Sequence, residues 1–231
     1  MAPELKSTLS RISTASIAGA LFKLGLRNIW IRGAMPIAGG GANRFGTAFT
    51  MRFLPAREDL VGPALAKLKN SRAAIEEMEA DSFAVIDAMG ITDAGVAGDV
   101  LCARMALRGV TGLVTDGAIR DIVGVERSGL SVWSRGTASP APNSWLTFMD
   151  WGLPVACGGV TVFPGDLIVA DRDGAVVIPQ ALTKQVVAEA AEIERFDGWV
   201  VAKVMAGEQL PGLYPPSPEN QERYKRETAQ D

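Results

Sequence analysis

Histidine is absent from the 231 residues. Its absence removes the Ser-His-Asp triad, the Cys-His dyad and every His-ligated zinc or iron site. Cysteine is scarce. Cys102 and Cys157 form no spacing motif and cannot build a sulfur cage. A metal held by side chains must then be a hard, oxygen-ligated ion such as Mg²⁺ or Mn²⁺. The two cysteines read as reduced, buried thiols of a cytoplasmic protein, with one disulfide as the alternative. An excess of positive charge is missing too. With 23 basic against 26 acidic residues and a net charge of −3, no broad basic field exists to hold nucleic acid by its phosphates. Long hydrophobic runs are lacking. The longest uncharged apolar-leaning stretch, 151–165, is interrupted by Pro154, Pro164 and glycines and falls short of the roughly 18 residues a membrane span needs. Neither nucleic acid nor membrane is therefore an expected partner.

What is present is ordinary globular material, 48% hydrophobic and 21% charged, with 25 glycines and 13 prolines for tight turns. One domain is expected over 1–210. A proline-rich, then charged extension over 211–231 reads as a strap over the surface or a neighbouring subunit. Near the N-terminus, Lys6 and Arg11 precede an apolar run that Ser13, Thr14 and Ser16 interrupt and Lys23 closes. This reads as a helix capped by Thr14 or Ser16 and ended at Gly25, not as a signal peptide. The stretch 37–43 (IAGGGAN) reads as a plain turn, since it matches neither phosphate-loop pattern. Alternation over 46–54 predicts a strand, and helical spacing over 63–80 predicts a helix with Glu76, Glu77 and Glu79 on its wet side. Buried strands are expected at 83–87, 112–115 and 130–134, and helices at 99–108 and 119–128. That strand–helix order argues for α/β architecture with parallel strands. Next come a proline-rich loop at 137–143 and short β segments at 160–163, 167–170 and 175–178. A long helix from Pro179 to about Ala206 follows.

The chemistry concentrates between Gly95 and Asp121. Gly98-Asp99 opens a helix after a strand, so the amides of Val100 and Leu101 point out of a positive helix end suited to a carboxylate or phosphate. Asp99 is equally well read as an N-cap. Twenty residues, 100–119, separate Asp99 from Arg120. One helix, one strand and one tight turn fill that interval, so the chain returns to the same sheet edge, where open α/β sheets bind ligands. Arg120 suits a bidentate grip on a carboxylate, and Asp121 suits Mg²⁺, which needs only one or two protein carboxylates. A structural Arg–Asp ion pair is the alternative. Asp116, Asp166, Asp171 and Asp173 read as turn residues. No lysine falls in this constellation, which argues against Schiff-base chemistry.

Asp99-x20-Arg120-Asp121 resembles the signature of the RraA-like family. The segments GVAGDVL (95–101), GLVTDGAIRD (112–121) and PVACGGVTVFPGDLIVADRDGAVVIP (154–179) and the long C-terminal helix follow in that family's order. The family includes divalent-metal pyruvate aldolases acting on 4-hydroxy-4-methyl-2-oxoglutarate and 4-carboxy-4-hydroxy-2-oxoadipate, and protein regulators of ribonuclease E. The resemblance implies a three-layer β/β/α swivelling domain, assembled as a homotrimer or hexamer. It implies that Arg120 holds the small 2-oxo-acid substrate and that Asp121 ligates Mg²⁺ or Mn²⁺. Gly98 and the amides of Val100 and Leu101 would receive the pyruvyl carboxylate. Asp99 would orient a water of the metal shell or relay a proton. An acid from an adjacent subunit is also implied, with Glu192 and Glu194 the candidates. Retro-aldol release of pyruvate is the expected reaction, with oxaloacetate decarboxylation beside it. A ribonuclease regulator, or a lyase for another oxo-acid or sugar acid, is the alternative. The sequence departs from the aldolases in one place: Gly124 stands where they carry an acid, and the nearest acid is Glu126.

Overall fold

The computed structural model describes residues 1–39, 43–59 and 70–229. The fold grows from strand β3 (Ser82–Asp87), every residue of which is buried. Its side chains alternate between two cores. Phe83 and Val85 enter one, Ala84 and Ile86 the other. Burial on both faces is what a parallel strand requires. β3 lies parallel to β2 (Arg44–Pro55) and to β4 (Gly112–Thr115), and β4 lies parallel to β6 (Val132–Ser134). Antiparallel strands extend this centre. β1 (Met35–Ala38) pairs with β6, and β11 (Leu167–Asp171) pairs with both β2 and β12 (Gly174–Ile178). The long β2 forks: its first residues pair with β11, and 51–55 pair with β8 (Leu146–Trp151).

Helices cover one face: α3 (Ser71–Glu77), α4 (Asp99–Leu107) and α5 (Ile122–Ser128). They contribute Ala74, Ile75, Cys102, Met105 and Val125 to the core under Ala84, Ile86 and Leu113. The opposite face is roofed by a hairpin of β9 (Val155–Cys157) and β10 (Val160–Val162), which packs on Phe83, Val85 and Trp133. Hairpin, sheet and helices give the β/β/α layering expected from the sequence. A third core lies under α1 (Pro3–Leu9), α2 (Thr14–Lys23) and α6 (Thr183–Met205), against β11 and β12. The segment after 210 ends in α7 (Pro218–Thr228), whose Tyr224 stacks edge-on against Phe196 and Trp199 of α6. No helix among the described residues is long and apolar enough to cross a membrane.

Several expectations need correcting. Ser13, not Thr14 or Ser16, caps α2. Part of the turn read at 37–43 is strand β1, and 40–42 lie outside the described residues, as do 63–69 of the helix expected over 63–80. The helix expected from Ile119 begins at Ile122, because Asp121 sits in the left-handed region (φ 55°) and Ile119 pairs in a short strand, β5 (Ala118–Ile119). That strand lies parallel to β7 (Gly136–Thr137), inside the stretch read partly as a proline-rich loop. The long helix starts at Thr183, after a 3₁₀ turn at Gln180–Leu182. The turn aspartates do turn work: Asp166 accepts from the amides of Phe163 and Gln180, and Asp171 from those of Thr14 and Asp173.

Two measurements test this packing. Trp133 is fully buried, tilts against Phe83 and donates its indole N–H to Asp171 O at 2.6 Å. Trp133→Ala is expected to lower unfolding free energy by about 3–5 kcal/mol in denaturant titration. Burial pushes the Glu194 carboxyl up, but bonds from the Ser13 amide and the Ser16 and Ser13 hydroxyls outweigh it and hold the pKa below 4.5. A depressed folded pKa gives stability that is present above 4.5 and lost as pH falls through the folded value. Glu194→Gln should therefore destabilise by about 1 kcal/mol at pH 7 and progressively less in acid.

Candidate functional site

The β4–β5 turn and the 95–98 strand-like segment are laced together. Gly95 bridges Ala118 in parallel, Val96 N–H donates to Ala118 O, and Arg120 N–H donates to Ala97 O at 3.0 Å. This lacing brings Arg120 and Asp121 to the tip of α4. Arg120 Nε donates to Asp121 Oδ2 at 2.8 Å, with both side chains more than a third exposed (36% and 44%). The pair lines a cleft of about 240 Å³ together with Ile122, Thr137, Ala138 and Ser139.

Glycines make this approach possible. A Cβ on Gly95 would lie 2.7 Å from Arg120 Cβ, and one on Gly98 would lie 2.7 Å from Asp121 Oδ2. A Cβ on Gly124 would lie 2.5 Å from Asp99 Cβ and 2.7 Å from Asp99 Oδ2. Real Cβ atoms do not make contacts this short, so Gly98 fits Asp121 against the helix tip and Gly124 fits Asp99 against α5. The departure noted at Gly124 is thus a contact with a candidate catalytic residue. The left-handed Asp121 adds local backbone strain of the kind that collects at functional sites.

Sequence reasoning placed Asp99, Arg120 and Asp121 at one edge, and the structure brings them together through Gly98 and Gly124. Two details differ. Gly98, not Asp99, occupies the N-cap position, and Asp99 is the first helical residue. Asp99 Oδ1 accepts from Val100 N–H at 2.7 Å, so that amide, expected to meet a substrate carboxylate, already holds an acid of its own chain. Leu101 keeps the first-turn position, where an amide has no partner within the helix. Glu192 and Glu194 are engaged within their own chain. Glu192 accepts from Tyr224 and pairs with Arg195, while Glu194 accepts from the Ser13 amide and from the hydroxyls of Ser13 and Ser16. Thr137, Ala138 and Ser139 of the cleft were missed, because a proline-rich run gives no sign of which cleft it borders.

Among the described residues, no group of three His, Cys, Asp or Glu side chains could hold a metal ion. The Asp99 and Asp121 carboxylates fit an ion that keeps most of its own waters, as Mg²⁺ does. Other nucleophiles are poorly placed. No described lysine lines the cleft. Burial, followed by the charge of Asp99, pushes the Cys102 thiol up to about 12. Burial, followed by the charge of Asp116, raises Cys157.

The sequence model of RraA-like proteins (Aldolase/RraA) matches residues 14–177. The chain belongs to the RraA-like family. A protein of Halalkalibacterium halodurans named "Putative 4-hydroxy-4-methyl-2-oxoglutarate aldolase" is 34% identical over 158 residues, 64% of this chain and 73% of its own length. Protein DlpA of Legionella pneumophila is 27% identical over 208 residues, 90% of this chain but 33% of its own length. The crystal structure of Streptomyces coelicolor RraAS2, described as an unusual member of the RNase ES inhibitor RraA protein family, superimposes with a TM-score of 0.76 at 35% identity. That match covers 86% of this chain and 96% of the other.

The thiol environments give a direct check on the core. Native protein at pH 8 is expected to leave a thiol reagent such as dithiobis(nitrobenzoate) unreacted, and protein unfolded in guanidinium to titrate both Cys102 and Cys157. Rapid reaction of either in the native state would contradict this packing.

Proposed function

We propose that this RraA-like chain is a divalent-metal-dependent aldolase that releases pyruvate from 4-hydroxy-4-methyl-2-oxoglutarate or a close relative, and decarboxylates oxaloacetate at the same site. The observation that carries the reading is the glycine-lined convergence of Arg120, Asp121 and Asp99 on one helix tip. The aldolase name borne by the Halalkalibacterium relative supports it. A divalent ion held at Asp121 would supply positive charge to the oxygen of the departing enolate.

The chain's own groups do the remaining work. Arg120 binds the pyruvyl end, and its guanidinium faces the oxygen on which negative charge builds as the bond breaks. A guanidinium keeps its charge at any working pH, so this stabilisation needs no proton transfer. Asp99 accepts the proton of the substrate's 4-hydroxyl, directly or through one water. The electrons of the C3–C4 bond then pass to the C2 carbonyl, C4 becomes a carbonyl, and the proton returns to C3 of the enolate. Oxaloacetate loses carbon dioxide to give the same enolate, so the same Arg120 contact serves both substrates. Leu101 N–H, aligned with the positive end of α4, offers a donor to the pyruvyl carboxylate. The reading needs neither Glu192 nor Glu194.

A second reading, a ribonuclease-binding regulator, is favoured by the likeness to RraAS2. A coupled assay for pyruvate with Mg²⁺ or Mn²⁺ separates the two. Turnover that stops with EDTA and falls by about 10²–10³-fold in Arg120→Ala is the expected result. Absence of pyruvate from every 2-oxo acid offered, with tight binding to a ribonuclease, would overturn the aldolase. Gly124→Ala is expected to lower kcat at least tenfold in folded protein, because the added methyl displaces Asp99.

A further inference from the structure

A second concavity, of about 680 Å³, opens where β2, β3, β4 and β6 end. Arg32, Arg52 and Arg135 line it, with Asp87 and Asp116. These five residues come from five separate stretches of chain, and the aldolase reading uses none of them. Carboxyl-terminal strand ends are where open α/β sheets hold ligands.

The two acids do not answer the three arginines. Asp116 is 4% exposed, and its Oδ1 accepts from Ala88 N–H while Oδ2 accepts from Gly90 and Gly158 N–H, at 2.8–3.1 Å. Asp87 is 6% exposed and accepts from Met89 and Ala156 N–H at 2.9 and 3.1 Å. All four carboxylate oxygens thus bind backbone amides. Asp116 also ties together two left-handed backbone pairs, Met89-Gly90 (φ 56° and 70°) and Gly158-Gly159 (φ 55° and 74°). Met89 carries a side chain in that region, so this wall holds local backbone strain that the buried bonds to Asp116 offset.

The arginines differ in what they hold. Arg52 is paired bidentately with Asp150, at 3.2 and 2.6 Å. Arg32 grips the carbonyls of Gly158 and Gly159 and the Asn28 side chain. Arg135 is exposed and lies over Gly33 and Gly90, where its Nη1 sits 3.1 Å from the position a Gly90 Cβ would take. Its guanidinium has no hydrogen bond or ion pair with any described residue. A concavity with fixed walls and one unanswered guanidinium is suited to a bidentate oxyanion.

We propose that this concavity is a second anion site, separate from the Arg120 cleft, which takes a small oxyanion through Arg135 with Arg32 beside it. Two sources share that chemistry, an organic dicarboxylate and a tetrahedral inorganic oxyanion. β5 and β7 separate it from the Arg120 cleft. Arg135 N–H donates to Gly117 O just before that ribbon, and Arg120 follows it. The site stands whether or not the aldolase reading does.

Isothermal titration calorimetry on the full chain at low ionic strength tests it, with malonate in one arm and sulfate in the other. Saturable binding of at least one anion is expected, weakened tenfold or more in Arg135→Ala and persisting in Arg120→Ala, where any further set of sites in the Arg120 cleft is lost. Circular dichroism checks that both variants fold, and Arg135→Lys should retain part of the affinity. Malonate binding alone identifies a dicarboxylate site, and sulfate binding alone a tetrahedral-oxyanion site. The proposal fails if neither anion binds, if Arg135→Ala binds as tightly as the parent, or if binding is lost in Arg120→Ala and kept in Arg135→Ala.

Discussion

The close approach of the α4 tip to the 120–121 turn governs the chemistry of this molecule. Backbone bonds from Val96 and Arg120 set the two segments side by side. Gly95, Gly98 and Gly124 then let side chains enter space that a Cβ would fill. Neither contribution suffices alone. The bonds fix the direction of the chain but not how near Asp121 comes to the helix, and the glycines permit contact without specifying it. A guanidinium and two carboxylates are held at the surface by rigid elements, where reacting groups are positioned most accurately.

The central architecture was legible because its signals are local and redundant. The buried runs at 83–87 and 112–115, separated by a helical stretch, can hardly be anything other than parallel strands. The Asp99–Arg120 spacing was legible for the same reason, since helix, strand and turn lengths fix where the chain returns. What stayed hidden depends on partners far away in sequence. β1 and β8 are edge pieces, only partly buried, and their pairing is decided by β6 and β2. Aspartate is among the residues that tolerate a left-handed backbone, but that mark is too weak to break a helical pattern, so the periodicity ran on past Asp121 to Ile119. The contact between Gly124 and Asp99 likewise has no sequence signature, because glycine inside a helical pattern reads as a propensity defect until its neighbour is known.

Carboxylates in this fold divide into those bound by backbone and those left available. Asp87, Asp116, Asp166 and Asp171 each accept from two or more amides or hydroxyls and hold loops in place. Asp121 faces a cleft and is bound through one oxygen to a neighbouring guanidinium. The same division separates Glu194, which ties α6 to the start of α2, from an acid that could serve another subunit. Counting acids in the sequence could not separate these groups. Counting the donors around each oxygen does.

A change at position 124 is felt at position 99. The room that an acidic side chain would need on α5 is room that Asp99 occupies. An acid placed at 124 in this chain must therefore push the Asp99 side chain from its seat. The glycine thus sets where the Asp99 carboxylate rests, and a change made on α5 is read out at the tip of α4.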